Sequence, residues 1–120
     1  MSWTPGSAEI ERFIRDQYRL WSDDRVEEML ELFRTIAPAG YTIEYVGRGV
    51  EDGDASIAAM IDQYRGKVLT HLRRLIVNGS EAAAVVDNEF VASGHVMPSI
   101  ETYRFEGGRM AIRYFHETAP

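Results

Sequence analysis

Five side chains in this 120-residue sequence stand out as able to move or hold a proton, and they come from three parts of the chain. Glu101 lies between Ile100 and Thr102 in a β-rich run. A carboxyl that faces an apolar hollow has its pKa raised and can serve as an acid. The other arrangement open to Glu101 is a solvated outer-face position, paired with Arg113 across a hairpin. Asp87 and Glu89 stand two residues apart on one strand face. Paired carboxylates can divide acid and base roles when their surroundings separate their pKa values; a solvated acidic face is the plainer alternative. His116, near the end of the last strand, is a candidate general base. Tyr18 shares a helical face with Ile14 and Trp21, from which its hydroxyl could donate to a substrate oxygen.

Around these residues the chain divides into recognisable elements. Met1–Gly6 reads as a loose arm. Ser7 is placed to cap a first helix, with Glu9 and Glu11 in its first turn. Ile10, Phe13, Ile14, Tyr18 and Trp21 recur at three- and four-residue steps, which makes one buried face. Ser22-Asp23-Asp24 breaks this helix, and Asp24 with Glu27 has the spacing of a capping box for the next. Val26, Met29, Leu30, Phe33 and Ala37 form the second stripe, ended by Pro38-Ala39-Gly40. Residues 41–46 predict a first strand. A glycine-rich loop follows over 47–54, without a P-loop or dinucleotide pattern. A third helix starts at Asp54 or Ser56, buries Ile57, Met60, Ile61 and Tyr64, and stops at Gly66.

The remainder predicts four antiparallel strands: 68–77, 81–92, 95–105 and 109–117. Asn78-Gly79, Ser93-Gly94 and Gly107-Gly108 supply the turns. Pro98, which cannot donate to a ladder, predicts a bend in the third of these strands. In the last strand, alternation groups His116 with Met110, Ile112 and Tyr114, and Arg113 with Ala111 and Phe115. A single bulge would exchange the two faces. Helices gathered on one face of a curved antiparallel sheet make an α+β domain, and such a sheet can leave an apolar hollow under its helices.

Composition narrows the function classes. One core suits this length, and 45% hydrophobic residues argue against disorder. A net charge of −6 and a pI near 5.0 disfavour a nucleic-acid partner. His71-Leu72-Arg73-Arg74 therefore reads as a solvated strand face. There is no cysteine, so thiolate chemistry is excluded. The three histidines have no metal-ligand spacing, and no cofactor motif is present. Nothing resembles a signal peptide or a membrane span, so a cytoplasmic location is expected.

Taken in order, YRLWSDDRVEEMLELF, then TIEYVGRG with DASIAAMIDQY, then YRFEGGRMAIRYFH resemble the SnoaL-like branch of the nuclear-transport-factor-two-like superfamily. The resemblance spans Ile10 to His116. It implies a cone-shaped, cystatin-like α+β barrel: a single domain over residues 1–120, three N-terminal helices packed into a strongly curved, mostly antiparallel sheet. Ketosteroid isomerases of this superfamily build an oxyanion hole from a helix-one tyrosine and a protonated late-strand acid. By that correspondence the hole falls on Tyr18 and Glu101, and the position of the proton-moving base on Tyr45, which is not a carboxylate. In limonene epoxide hydrolases an Asp-Arg-Asp set activates water. Its positions fall on Asp87, Val85 and His116. SnoaL-type cyclases carry an acid/base aspartate in the last-strand region, again nearest His116.

The resemblance thus implies a cofactor-independent acid/base enzyme for a small hydrophobic carbonyl or epoxide, of isomerase, cyclase, dehydratase or hydrolase type. Glu101, Asp87, His116 and Tyr18 would be catalytic. Trp21, Phe33, Tyr45, Met60, Arg113 and Phe115 would line the pocket. It also implies a homodimer through the outer sheet face. A non-catalytic ligand-binding or dimerisation module of the same fold is the alternative.

Overall fold

The computed structural model describes residues 3–118. Three helices, α1 (Ser7–Ser22), α2 (Val26–Ile36) and α3 (Gly53–Tyr64), accompany six strands. These are β1 (Gly40–Tyr45), β2 (Val50–Asp52), β3 (Val68–Asn78), β4 (Glu81–Phe90), β5 (Val96–Glu106) and β6 (Arg109–His116). They form one sheet in the order β2-β1-β6-β5-β4-β3, in which β1 runs parallel to β6 and every other pairing is antiparallel. The domain is α+β, as expected.

Helix starts differ from expectation. Gly6, not Ser7, is the N-cap residue of α1; the Ser7 hydroxyl instead donates to the Gly79 carbonyl in the β3–β4 turn, at 3.1 Å. Asp24 does not cap α2. It sits in the left-handed region, at φ 60, and its carboxylate takes the Arg65 guanidinium at 2.7 Å. Asp52 caps α3 by accepting from the Ala55 N–H at 3.0 Å, so that helix begins at Gly53. Residues 3–6 are not loose: Pro5 is buried, and the Trp3 carbonyl accepts from the Gly108 N–H at 2.7 Å.

Two strand features escaped the sequence. Val50–Asp52 pairs with β1 as a short edge strand instead of staying a loop. In β3 the pairing register slips between Leu72 and Arg74, the mark of a β-bulge. The slip keeps apolar side chains inward on both halves, Val68 and Leu72 before it, Leu75 and Val77 after it. Through Pro98, β5 runs as a single strand from Val96 to Glu106.

Helices α1 and α2 pack their apolar stripes against the sheet's inner face, where Tyr41, Ile43, Val86, Tyr103, Phe105 and Ile112 are buried. Phe13 meets Phe33 edge-on at 5.2 Å and Phe105 at 6.2 Å, and Phe33 meets Tyr41 at 5.3 Å. This end of the interior is a solid aromatic core. Phe33 belongs to it, not to a pocket as expected. On the outer face Ile76, Val85 and Ile100 are exposed. Among the described residues, no helix is long and apolar enough to cross a membrane.

Candidate functional site

The other end of the interior is hollow. A cavity of about 550 Å³ opens between α1, α3 and the sheet. Trp21, Met29, Tyr45, Met60, Tyr64 and Val68 supply its apolar wall. Two ties from α1 to β3 hold that wall open. The Trp21 indole N–H donates to the Val68 carbonyl at 2.9 Å, and Ser22 and Thr70 exchange hydrogen bonds across 3.0–3.3 Å. The Thr70 hydroxyl donates to the Tyr18 carbonyl at 3.2 Å, which fixes the turn of helix that carries Tyr18.

Glu101 is at the inner end of this cavity, 7% exposed. Its strand alternation with Ser99 and Tyr103 points all three inward. Tyr18 donates to Glu101 Oε1 at 2.5 Å, within the range of charge-assisted O–H···O bonds. Ser99 donates to Oε2 at 3.1 Å, and the Tyr103 hydroxyl reaches Oε1 at 3.4 Å. Behind them the Gln17 amide donates to the Tyr103 hydroxyl, which lies 2.7 Å from that of Tyr18. Asn88 donates to the Ser99 hydroxyl at 3.0 Å. Gln17, Tyr103, Tyr18 and Glu101 thus form a polarised chain of donors ending on a carboxyl group.

Burial raises the Glu101 carboxyl above the usual carboxylate range, and the hydrogen bonds from Tyr18, Ser99 and Tyr103 oppose the rise. Burial, then the neighbouring Glu101 charge, pushes the phenols of Tyr18, Tyr103 and Tyr114 well above their ordinary value. These three therefore stay protonated and act as donors. Tyr114 pairs directly with Glu101 across the β5–β6 hairpin and lines the cavity. Its hydroxyl makes no side-chain hydrogen bond among the described residues, so it is free to donate to a bound molecule.

Nearer the mouth, His116 lies nearly parallel to the Tyr45 ring at 6.0 Å. Burial lowers its pKa, and the Arg48 charge lowers it further, so the imidazole is neutral at neutral pH.

The structure thus brings together Glu101, Tyr18, His116, Trp21, Tyr45 and Met60 around one cavity. It turns the rest away. Asp87 faces outward, paired with Arg73 at 2.7 Å, and Glu89 faces outward against His71 at 2.8 Å. Arg113 and Phe115 also point outward: Arg113 pairs with Glu44 at 2.9 Å, not with Glu101, and its guanidinium lies over the Phe115 ring at 5.1 Å. The cause is strand parity, since each is an odd number of positions from an inward residue of its own strand. Gln17, Ser99, Tyr103 and Tyr114 were missed. Their signal was in the sequence: Gln17 continues the apolar stripe of α1, Ser99 and Tyr103 flank Glu101 at two residues, and Tyr114 shares His116's parity. Among the described residues, no three His, Cys, Asp or Glu side chains are grouped to hold a metal ion.

No protein-family model matches the chain, and no curated protein matches it. Solved structures do. A protein of unknown function with a cystatin-like fold from Methylobium petroleophilum is 19% identical, with a TM-score of 0.71 over 98% of this chain and 82% of that one. A candidate ketosteroid isomerase from Kribbella flavida is 14% identical, with a TM-score of 0.67 over 95% and 83%. A candidate polyketide cyclase from Xanthomonas campestris is 13% identical, with a TM-score of 0.64 over 92% of each chain. At these identities the likeness is one of architecture: the chain has the cystatin-like fold of the nuclear-transport-factor-two-like proteins.

Proposed function

We propose that this chain is a cofactor-independent acid/base enzyme that moves a proton on a small, largely apolar carbonyl compound, in the manner of an isomerase or cyclase. One observation carries the reading. Glu101 is buried at the inner end of a mostly apolar cavity, held by hydroxyl donors instead of a cation. Such a carboxyl sits closer to neutral in its proton affinity than a solvated one, which suits a group that must both take and return a proton.

In this reading the Glu101 carboxylate takes a proton from the carbon next to the substrate carbonyl. The C–H electron pair moves into the carbonyl, and the resulting enolate oxygen accepts a hydrogen bond from the Tyr114 hydroxyl. Where the substrate carries a carbon–carbon double bond β,γ to the carbonyl, the enolate is a dienolate, and the Glu101 carboxylic acid returns the proton to its γ-carbon, which moves the double bond into conjugation and isomerises the substrate. In the cyclase variant the enolate carbon attacks a second carbonyl of the same molecule, and the new alkoxide takes the proton from Glu101. Tyr18 and Ser99 are positioning residues, since their hydroxyls are engaged with Glu101 itself. Neutral His116 is placed to relay protons at the mouth. The epoxide variant has less support, because Asp87 is committed to Arg73 on the outer face.

The test is deuterium exchange into enolisable ketones, read by proton NMR in D2O, over a panel first screened for binding by thermal shift. Wild-type protein should label the α-carbon of compounds that bind. Glu101→Gln should slow labelling about 100-fold or more, and Tyr114→Phe should slow it while leaving binding in place. Equal labelling by wild type and Glu101→Gln would remove the proposal, as would bound ketones that never exchange.

A further inference from the structure

The cavity has a charge that the proton chemistry above does not use. Arg48 is the single Lys or Arg side chain among the described residues lining it. It stands between Gly47 and Gly49, whose φ angles of 95 and 93 are open to glycine but strained for other residues. The loop is fastened at its base: the Arg48 N–H donates to the Tyr45 carbonyl at 2.8 Å, and the Val46 N–H donates to the Tyr114 carbonyl at 3.0 Å. The guanidinium is therefore carried to the mouth by a turn anchored on the two strands that bear Tyr45 and Tyr114.

No carboxylate among the described residues comes within ion-pair distance of Arg48. Glu117 lines the same mouth but stays outside that distance. Most arginines elsewhere are paired, as Arg65, Arg73 and Arg113 are. The rim beside Arg48 is apolar, with Val46 40% and Met97 36% exposed. The field of the cation reaches inward, since it contributes to holding His116 neutral. On a chain of net charge −6, the one Lys or Arg among the described residues at this mixed polar and apolar mouth marks where an anion gains most.

Resting on the reading of this cavity as the substrate site, we infer that the ligand is an amphiphilic acid. Its apolar body and carbonyl enter toward Glu101 and Tyr114, and a carboxylate at its other end stays at the mouth on Arg48. Arg48 is then the residue that selects anionic over neutral compounds of equal size. A guanidinium suits this task because it can meet a carboxylate through two parallel N–H donors.

Isothermal calorimetry with octanoate and octanol tests this on the full chain, since the two differ chiefly in the charged end. Octanoate should bind wild type about tenfold more tightly than octanol, with an advantage that shrinks as salt is added. Arg48→Gln should remove the advantage and leave the octanol affinity as it was. Arg74→Gln, which alters an outer-face arginine, should change neither. Equal affinities in wild type, an undiminished preference in Arg48→Gln, or no binding of either probe would overturn the inference.

Binding is read here without turnover, and on Glu101→Gln as well as wild type. Glu101-dependent exchange with no anion preference would sink the acid class alone. Arg48-dependent preference with no exchange on any compound that binds would sink the proton-transfer reading and leave the acid class standing.

Discussion

The two faces of the sheet are built from the same strands, yet they treat charge in opposite ways. Outside, three acids sit in side-chain pairs: Asp87 with Arg73, Glu89 with His71, Glu44 with Arg113. Inside, Glu101 meets three hydroxyls and no cation. An exposed ion pair of this kind contributes little energy and is screened by salt. A carboxyl buried among hydroxyls has a proton affinity that its surroundings have moved, which is the property an acid/base catalyst needs. One residue of strand register therefore separates an ion-paired acid on the outside from one buried among hydroxyls.

The sharpest way to break this contrast is to neutralise one carboxylate on each face. Glu101→Gln should lower the exchange rate by about 10²- to 10⁴-fold, while Asp87→Asn should leave it within about twofold, because Asp87 faces away from the cavity and pairs with Arg73. Glu101 also ties stability to pH. The folded state raises the Glu101 pKa, so folded protein holds that proton more tightly than unfolded chain does. The stability this gives is fully present below the unfolded carboxylate value. It is lost as pH rises from there through the folded value, and above both the whole cost of burying the charge remains. Urea unfolding across that window should show stability falling with pH in wild type. The fall should be smaller in Glu101→Gln.

Neighbours on β6 extend the comparison to packing. Ile112 is 1% exposed on the inner face, and Arg113 lies one residue on, on the outer face. Ile112→Ala should cost about 2–5 kcal/mol in chemical unfolding, because it removes buried methyl groups and leaves a void. Arg113→Ala should cost about 1 kcal/mol or less, because its partner Glu44 can turn to water. Below Ile112 in effect comes Tyr103→Phe. It leaves the Gln17 amide without its acceptor and removes one donor from the Tyr18 hydroxyl, at about 1–3 kcal/mol.

The limits of the sequence lie along the same division. Helical stripes are redundant, since Ile10, Phe13, Ile14, Tyr18 and Trp21 each repeat the same information, and all five are buried. The hairpins were equally legible because Asn78-Gly79 and Gly107-Gly108 set their turns. Strand faces had no such redundancy on β4. Ala82, Ala84 and Val86 face inward and Val85 outward, so hydrophobicity does not tell the faces apart, and both a catalytic and a solvated position stayed open for Asp87. The bulge at Arg73 and the short pairing of Val50–Asp52 depend on a partner strand and leave no local mark. Ser7 and Asp24 show the same dependence: good capping residues were drawn off by Gly79 and Arg65, contacts far away in sequence.

The smallest expected effect is on the outer pair itself. Arg73 and Asp87 approach to 2.7 Å, but their side chains are 60% and 27% exposed. Water competes for both groups, and two side chains lose rotamer freedom to hold one geometry. Arg73→Ala should therefore shift the unfolding free energy by less than about 1 kcal/mol at low salt, and the shift should fade as added salt screens the pair. Exchange should be unaltered, since the change leaves the inward residues of β4 where they are. A large loss of exchange in Arg73→Ala, with the fold intact, would mean that the outer ladder sets the tilt of the strand beside Glu101. The two faces would then have to be treated as one coupled device.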